Sequence, residues 1–197
     1  MAIDSVGEKG EQMGRSDSVY CIDDSDIILS VSGNWESFAC ANGWDSGRSP
    51  ENVVGHLLWD FIQGLETQCL YAEIFRKVRS GKPCGPIPFR CDSPNERRFL
   101  ELFISPLPDG RIEITSTIIK TQPRDPVRLI DKDIPRSNDL VRICSMCKKI
   151  AIAEHNWIDT EAAAIHLRLF EADRMPGLTH ALCPSCYEIA IALNGLE

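Results

Sequence analysis

The sequence is short of basic charge, of long apolar runs and of any familiar catalytic signature. Its 21 Lys and Arg stand against 29 Asp and Glu, a net charge of −8. That balance argues against a general nucleic-acid binder, whose electrostatic footprint is basic. It argues equally against a polybasic anchor on an anionic membrane surface. No stretch approaches the ~20 consecutive apolar residues that span a bilayer. Met1 to Ser18 are polar and acidic, without the basic start and apolar stretch of a secretory signal. There is no Walker-type Gly-rich loop, no Gly-x-Ser-x-Gly elbow and no His-Glu-x-x-His. The expectation is a protein that is not an enzyme and has no membrane contact. Nine cysteines without an export signal suit a reducing, cytoplasmic compartment.

What the sequence does hold is a pair of Cys-x-x-Cys motifs, Cys144-Ser-Met-Cys147 and Cys183-Pro-Ser-Cys186, with 35 residues between them. Two thiolates three positions apart grip one side of a metal ion, and two such pairs complete a tetrahedron. Zinc is the natural occupant, because a structural site takes four soft donors and keeps no open position. Common four-thiolate modules have shorter spans between pairs, so the insert is expected to form an element of its own. Cys183 to Cys186 precede a helical run, Tyr187 to Leu193. A thiolate at a helix start is favoured by the backbone N–H groups there. His180, three residues before Cys183, is an alternative ligand or a hydrogen-bonding neighbour of a thiolate. His155 and His166 are weaker candidates. Cys21, Cys40, Cys69, Cys84 and Cys91 sit among apolar or strand-like residues and are read as buried small hydrophobes.

Composition and turn signals divide the chain. Residues 1–17 are a Gly, Glu, Ser and Asp-rich lead without periodicity, read as disordered. Residues 18–121 begin with two short strands, Val19 to Ile22 and Ile27 to Val31, and a short helix from Asn34 to Ala39. The clearest helix runs from Glu66 to Ser80, its apolar residues Leu70, Tyr71, Ile74, Phe75 and Val78 repeating at three and four. Three strands follow, Ile87 to Cys91, Arg97 to Ser105 and Arg111 to Lys120, the last two joined by the turn Pro106 to Gly110. Residues 122–140, interrupted by Pro123, Pro126 and Pro135, read as a linker with a docking segment. Residues 141–197 hold the cysteine module, its insert read as a helix with Ile158, Ala162, Ile165 and Leu169 on one face. Arg90, Asp92, Arg97 and Arg98 form the densest charge group and read as a solvated hairpin edge rather than an anion pocket.

This order of elements resembles that of a PAS domain. The resemblance sharpens at Gly55-His56-Leu57-Leu58-Trp59-Asp60-Phe61-Ile62, at Ile87 to Pro94, at Arg97-Arg98-Phe99 and at Ser105 to Gly110. These segments, with Cys144 to Lys149 and Thr179 to Tyr187, look like PAS-fold proteins of bacterial signalling systems whose C-terminus carries such cysteine pairs. The resemblance implies an α+β fold, a PAS-like antiparallel sheet with flanking helices, followed by a small helical module stapled by metal through Cys144, Cys147, Cys183 and Cys186. It implies signalling and names no ligand. Photoactive flavin domains of this kind carry an Asn-Cys-Arg-Phe-Leu-Gln run, which is missing here. Haem sensors often take a His from the long helix, and Glu66 to Ser80 has none, leaving His56 as the nearest candidate. An empty or side-chain-filled core is expected.

Three functions compete at this point. A non-catalytic sensory protein, contacting a protein partner and open to homodimer formation, fits the resemblance. A nucleic-acid-binding, transcription-associated finger conflicts with Glu154, Asp159, Glu161, Glu171 and Asp173 in the insert. A catalytic zinc needs an open position and a general base, for which Glu154 and Glu188 have no motif behind them. A thiol redox sensor that releases zinc on oxidation is a variant of the first.

Overall fold

In the computed structural model the described residues are 17–41 and 49–194. Of the lead expected over residues 1–17, residues 1–16 lie outside them, and Asp17 opens the first strand. An antiparallel sheet of five strands builds the first half: β1 (Asp17–Ile22), β2 (Ile28–Gly33), β3 (Cys84–Arg90), β4 (Glu96–Pro106) and β5 (Ile112–Pro123). Their order is β2-β1-β5-β4-β3. The β1–β2 turn is closed by the Asp23 carboxylate, which accepts the N–H groups of Ser25 (2.9 Å) and Ile27 (2.8 Å), a local bond typical of Asp in turns.

Alternation sends Ile22, Leu102, Ile104, Ile112 and Ile114 inward, all buried. Against this face lies α2 (Leu65–Arg79), presenting Leu70, Ile74, Phe75 and Val78. The short α1 (Trp35–Ala41) packs near β1, with Trp35 edge-on to Tyr20. Arg79, at the end of α2, donates to the Asp26 carboxylate (2.6 Å) and to the carbonyls of Asp23 (2.7 Å) and Gly110 (3.0 Å). One guanidinium thus ties the helix to two hairpin turns.

The C-terminal part is not the small helical module expected. Its frame is a four-stranded sheet of β6 (Arg136–Cys144), β7 (Ile150–Ala153), β8 (Asn156–Ile158) and β9 (Met175–Ala181), ordered β8-β7-β6-β9. β6 and β9 pair in parallel, from Arg136↔Met175 to Cys144↔Ala181. Two helices accompany it, α3 (Thr160–His166) and α4 (Pro184–Asn194). Pro176 and Gly177, which signal a helix end in the sequence, lie within β9, where an edge position tolerates proline. The insert's helix is correspondingly short. α3 buries Thr160 and Ala163 rather than the expected Ala162 and Ile165, and Ile165 is 63% exposed. Arg168, with a φ of 54°, turns the chain out of it.

Within residues 122–140 the docking segment is in place. β5 continues to Pro123, and Val127 and Leu129 bury beside Ile143, Ile150 and Ala163 in a core of the second sheet. Arg136 locks this turn by donating to the carbonyls of Leu129 (2.7 Å), Asp131 (2.5 Å) and Pro176 (3.1 Å).

The charge group around Arg90 is likewise not a solvated edge. Side-chain exposure is 1% for Asp92, 3% for Arg98 and 6% for Arg124. Asp92 pairs with Arg90 and with Arg124 (3.2 Å), and Arg124 and Arg97 both reach Glu161 on α3, at 3.0 and 2.8 Å. The group clasps the second sheet's helix to the first sheet's hairpin.

Candidate metal centre

Cys144 is the last residue of β6, and the chain then doubles back through Ser145, Met146 and Cys147. The turn is closed by the Cys144 N–H donating to the Lys149 carbonyl (2.8 Å) and the Lys148 N–H to the Cys144 carbonyl (3.0 Å). Lys148 takes a φ of 62° to make that reversal. On the opposite side, Cys183 precedes α4 and Cys186 lies in its first turn, with Pro184 in the position that needs no N–H. The parallel β6–β9 pairing explains how two motifs so far apart in sequence meet: both strands finish at the same end of the sheet, and each delivers its cysteine pair there.

The four sulfurs lie within 4.8 Å of one another. Cys147 Sγ and Cys183 Sγ are 3.6 Å apart. A tetrahedral ion with metal–sulfur bonds of ~2.3 Å requires sulfur–sulfur edges of about 3.8 Å, so the donor set fits a closed four-thiolate site. Backbone donors are already aimed at the sulfurs. The Cys183 N–H points at Cys144 Sγ (3.4 Å).

Protons distribute unevenly over this cluster. Hydrogen bonds from the Cys147 and Cys186 thiols, joined by the backbone donors, hold Cys144 far below the usual thiol range. The Cys147 thiol, bonded to Cys144, is pushed up to about 12. Cys186 is driven up strongly for the same reason. Metal binding requires the thiols to lose their protons, so the affinity of the site depends on pH.

The first sheet contributes the supports. Glu66 Oε2, in the opening turn of α2, accepts the Leu182 N–H at 2.8 Å, and Thr67 donates to Ser145 Oγ at 2.7 Å. From the end of β3, the Arg90 N–H donates to the Met146 carbonyl (2.7 Å) and its guanidinium to the Cys147 carbonyl (3.1 Å). Glu66, Thr67 and Arg90 carry no local signal of this role, because each acts across the fold.

His180 contributes no ring nitrogen to the sulfur group. It sits on β9 opposite Ile143, half-buried, with burial and the neighbouring Lys148 lowering its pKa. His155, His166, Glu154 and Glu188 are exposed. Of the remaining cysteines, Cys84 is buried as expected, whereas Cys40 and Cys69 are exposed. Between the first sheet and its small helices lies a cavity of about 230 Å³, lined by residues that include Tyr20, Trp35 and Phe61. That is below the ~300–1,000 Å³ of pockets that bury drug-sized ligands, and so too small for a haem or a flavin. His56 lies exposed, edge-on to Phe61.

No protein-family model and no curated protein matches the chain. Among solved structures, the chain is similar to a domain of an HTR-like protein from Haloarcula marismortui, at 17% identity and a TM-score of 0.36, over 53% of this chain and 99% of that one. Within the described residues, no helix is long and apolar enough to cross a membrane.

Proposed function

We propose that this protein is a non-catalytic cytoplasmic signalling module, a PAS-like sensory unit fused to a structural zinc centre, and that it acts by contacting a protein partner. The observation that carries the reading is the closed set of Cys144, Cys147, Cys183 and Cys186 braced by α2 and β3 of the first sheet. Four protein donors leave no position for water or substrate, which favours a structural over a catalytic ion. The sheet order and the single long helix across it support the PAS-like assignment. The acidic net charge weighs against a nucleic-acid role. A redox-sensing variant, in which oxidation releases the ion, is compatible with the half-buried Cys147 and Cys186.

The test is metal analysis of the purified protein together with cobalt substitution. The reading expects about one zinc per chain and, on exchange with cobalt, the intense visible absorption of tetrahedral thiolate coordination. Cys144→Ser is expected to lose metal and fold together. A fold retained without any metal affinity would remove the structural role, and iron with its colour would replace zinc by a cluster.

A further inference from the structure

An apolar cavity of about 270 Å³ opens against the metal centre, separate from the cavity beneath α1. Its first wall is the β3–β4 hairpin with the rings of Phe89 and Phe99, its second the cysteine turn with Met146 and Cys147, its third α4 with Cys186 and Ile189. It therefore meets both halves of the chain and is lined by two of the four cysteines. The charged side chain in its lining, Arg90, is engaged elsewhere: it pairs with Asp92, donates to the Cys147 carbonyl and lies over the Phe99 ring at 5.5 Å. Nothing in the lining asks for an ionic ligand. An apolar cavity of roughly 150 Å³ already holds a benzene-sized molecule.

We infer that this cavity is a binding site for a small neutral aromatic or aliphatic molecule, and that it is the input site of the sensory module proposed above. The inference rests on that reading for its meaning and on the cavity for its chemistry. A molecule seated there bridges the first sheet's hairpin to α4 and packs beside Cys147 and Cys186. Occupancy is therefore coupled to metal retention, and by reciprocity metal loading is coupled to ligand affinity. The other face of α4, carrying Pro184 and Tyr187, borders a separate groove against α2 and supplies a control position.

Indole, a neutral bicyclic aromatic, is a suitable probe. The full chain, with its metal content measured beforehand, is titrated with indole and followed by the methyl resonances of Met146 and Ile189. The expected result is saturable binding with shifts at both methyls, weakened at least tenfold by Ile189→Trp, which plugs the mouth, and unchanged by Tyr187→Ala. Since Ile189 is 45% exposed, the plug leaves the core in place. Absence of shifts at both methyls up to the solubility of indole overturns the inference, as does binding that Ile189→Trp leaves untouched. Metal content separates the two readings: a zinc-loaded protein that ignores indole removes the input site and spares the zinc centre.

Discussion

At the scale of single residues, buried charge helps to join the two sheets. Asp92 has a side-chain exposure of 1% and accepts from both Arg90 and Arg124. Removing one partner of a buried pair leaves the others desolvated and unmatched. Asp92→Ala is therefore expected to lower unfolding stability by about 3–5 kcal/mol, read as a fall in the urea midpoint. A loss no larger than a surface pair gives, ~1 kcal/mol or less, would show the clasp to be incidental. Glu161 supplies a pH signature. Burial acts to raise its pKa, but the Arg97 and Arg124 guanidinium groups win and hold it at about 2, against 4.5 for a free side chain. A folded-state pKa below the unfolded one means stability that is fully present above about pH 4.5 and lost as the pH falls towards 2. Glu161→Gln should be less stable than the wild type at neutral pH, with the gap closing over that window. A gap that stays constant from pH 5 to pH 2 would place the Glu161 contribution outside its ionisation.

Elements differ sharply in how far they were legible. α2 agrees with its sequence pattern to one residue at each end, because a 15-residue amphipathic stripe ended by basic residues is a local signal. The β4–β5 hairpin is equally clear, since period-two alternation flanks a Pro and Gly turn. β6 and β9 were hidden for the opposite reason. Residues Asn138 to Leu140 of β6 are exposed, and its partner lies across an insert whose Pro176 and Gly177 mimic a terminator. A parallel ladder between distant segments leaves no mark in either alone. The four cysteines were legible from spacing, while their supports at Glu66, Thr67 and Arg90 were not. One joint between elements is testable directly. Gly64 precedes α2 with a φ of 89°, and a Cβ there would lie 2.8 Å from the His180 carbonyl oxygen. Gly64→Ala thus meets both backbone strain and a collision with β9, an expected cost of roughly 1–3 kcal/mol. Gly55, with a φ of 86° and open space around it, meets strain alone. In parallel denaturant titrations Gly64→Ala should lose more stability than Gly55→Ala, and equal losses would mean that the α2–β9 contact yields freely.

For the whole molecule, the question is whether the metal centre staples one module or the entire chain. Cys144, Met146, Leu182, Cys183 and Ala190 belong to the same buried cluster as Ile74 and Phe75 of α2 and Ile87 of β3. The ion would therefore sit at a seam rather than at the tip of an appendage. A four-thiolate zinc contributes roughly 10–16 kcal/mol of apparent binding free energy in small metal-folded peptides, as large as the roughly 5–15 kcal/mol by which a typical native protein is stable. If that free energy acted on the second sheet alone, chelation would melt that sheet and leave the first with its own transition. A shared core predicts otherwise: stripping the metal with a strong chelator should move a single cooperative endotherm to lower temperature as a unit. Calorimetry of the full chain, with Trp59 beside Phe75 reporting the first half and Trp157 on β8 the second, distinguishes the two. Coincident midpoints for both tryptophans, before and after chelation, are the expected outcome. An endotherm that splits, with the Trp59 midpoint unmoved, would return the metal to a local role and break the physical link between the cavity at the sulfurs and the sensory half of the chain.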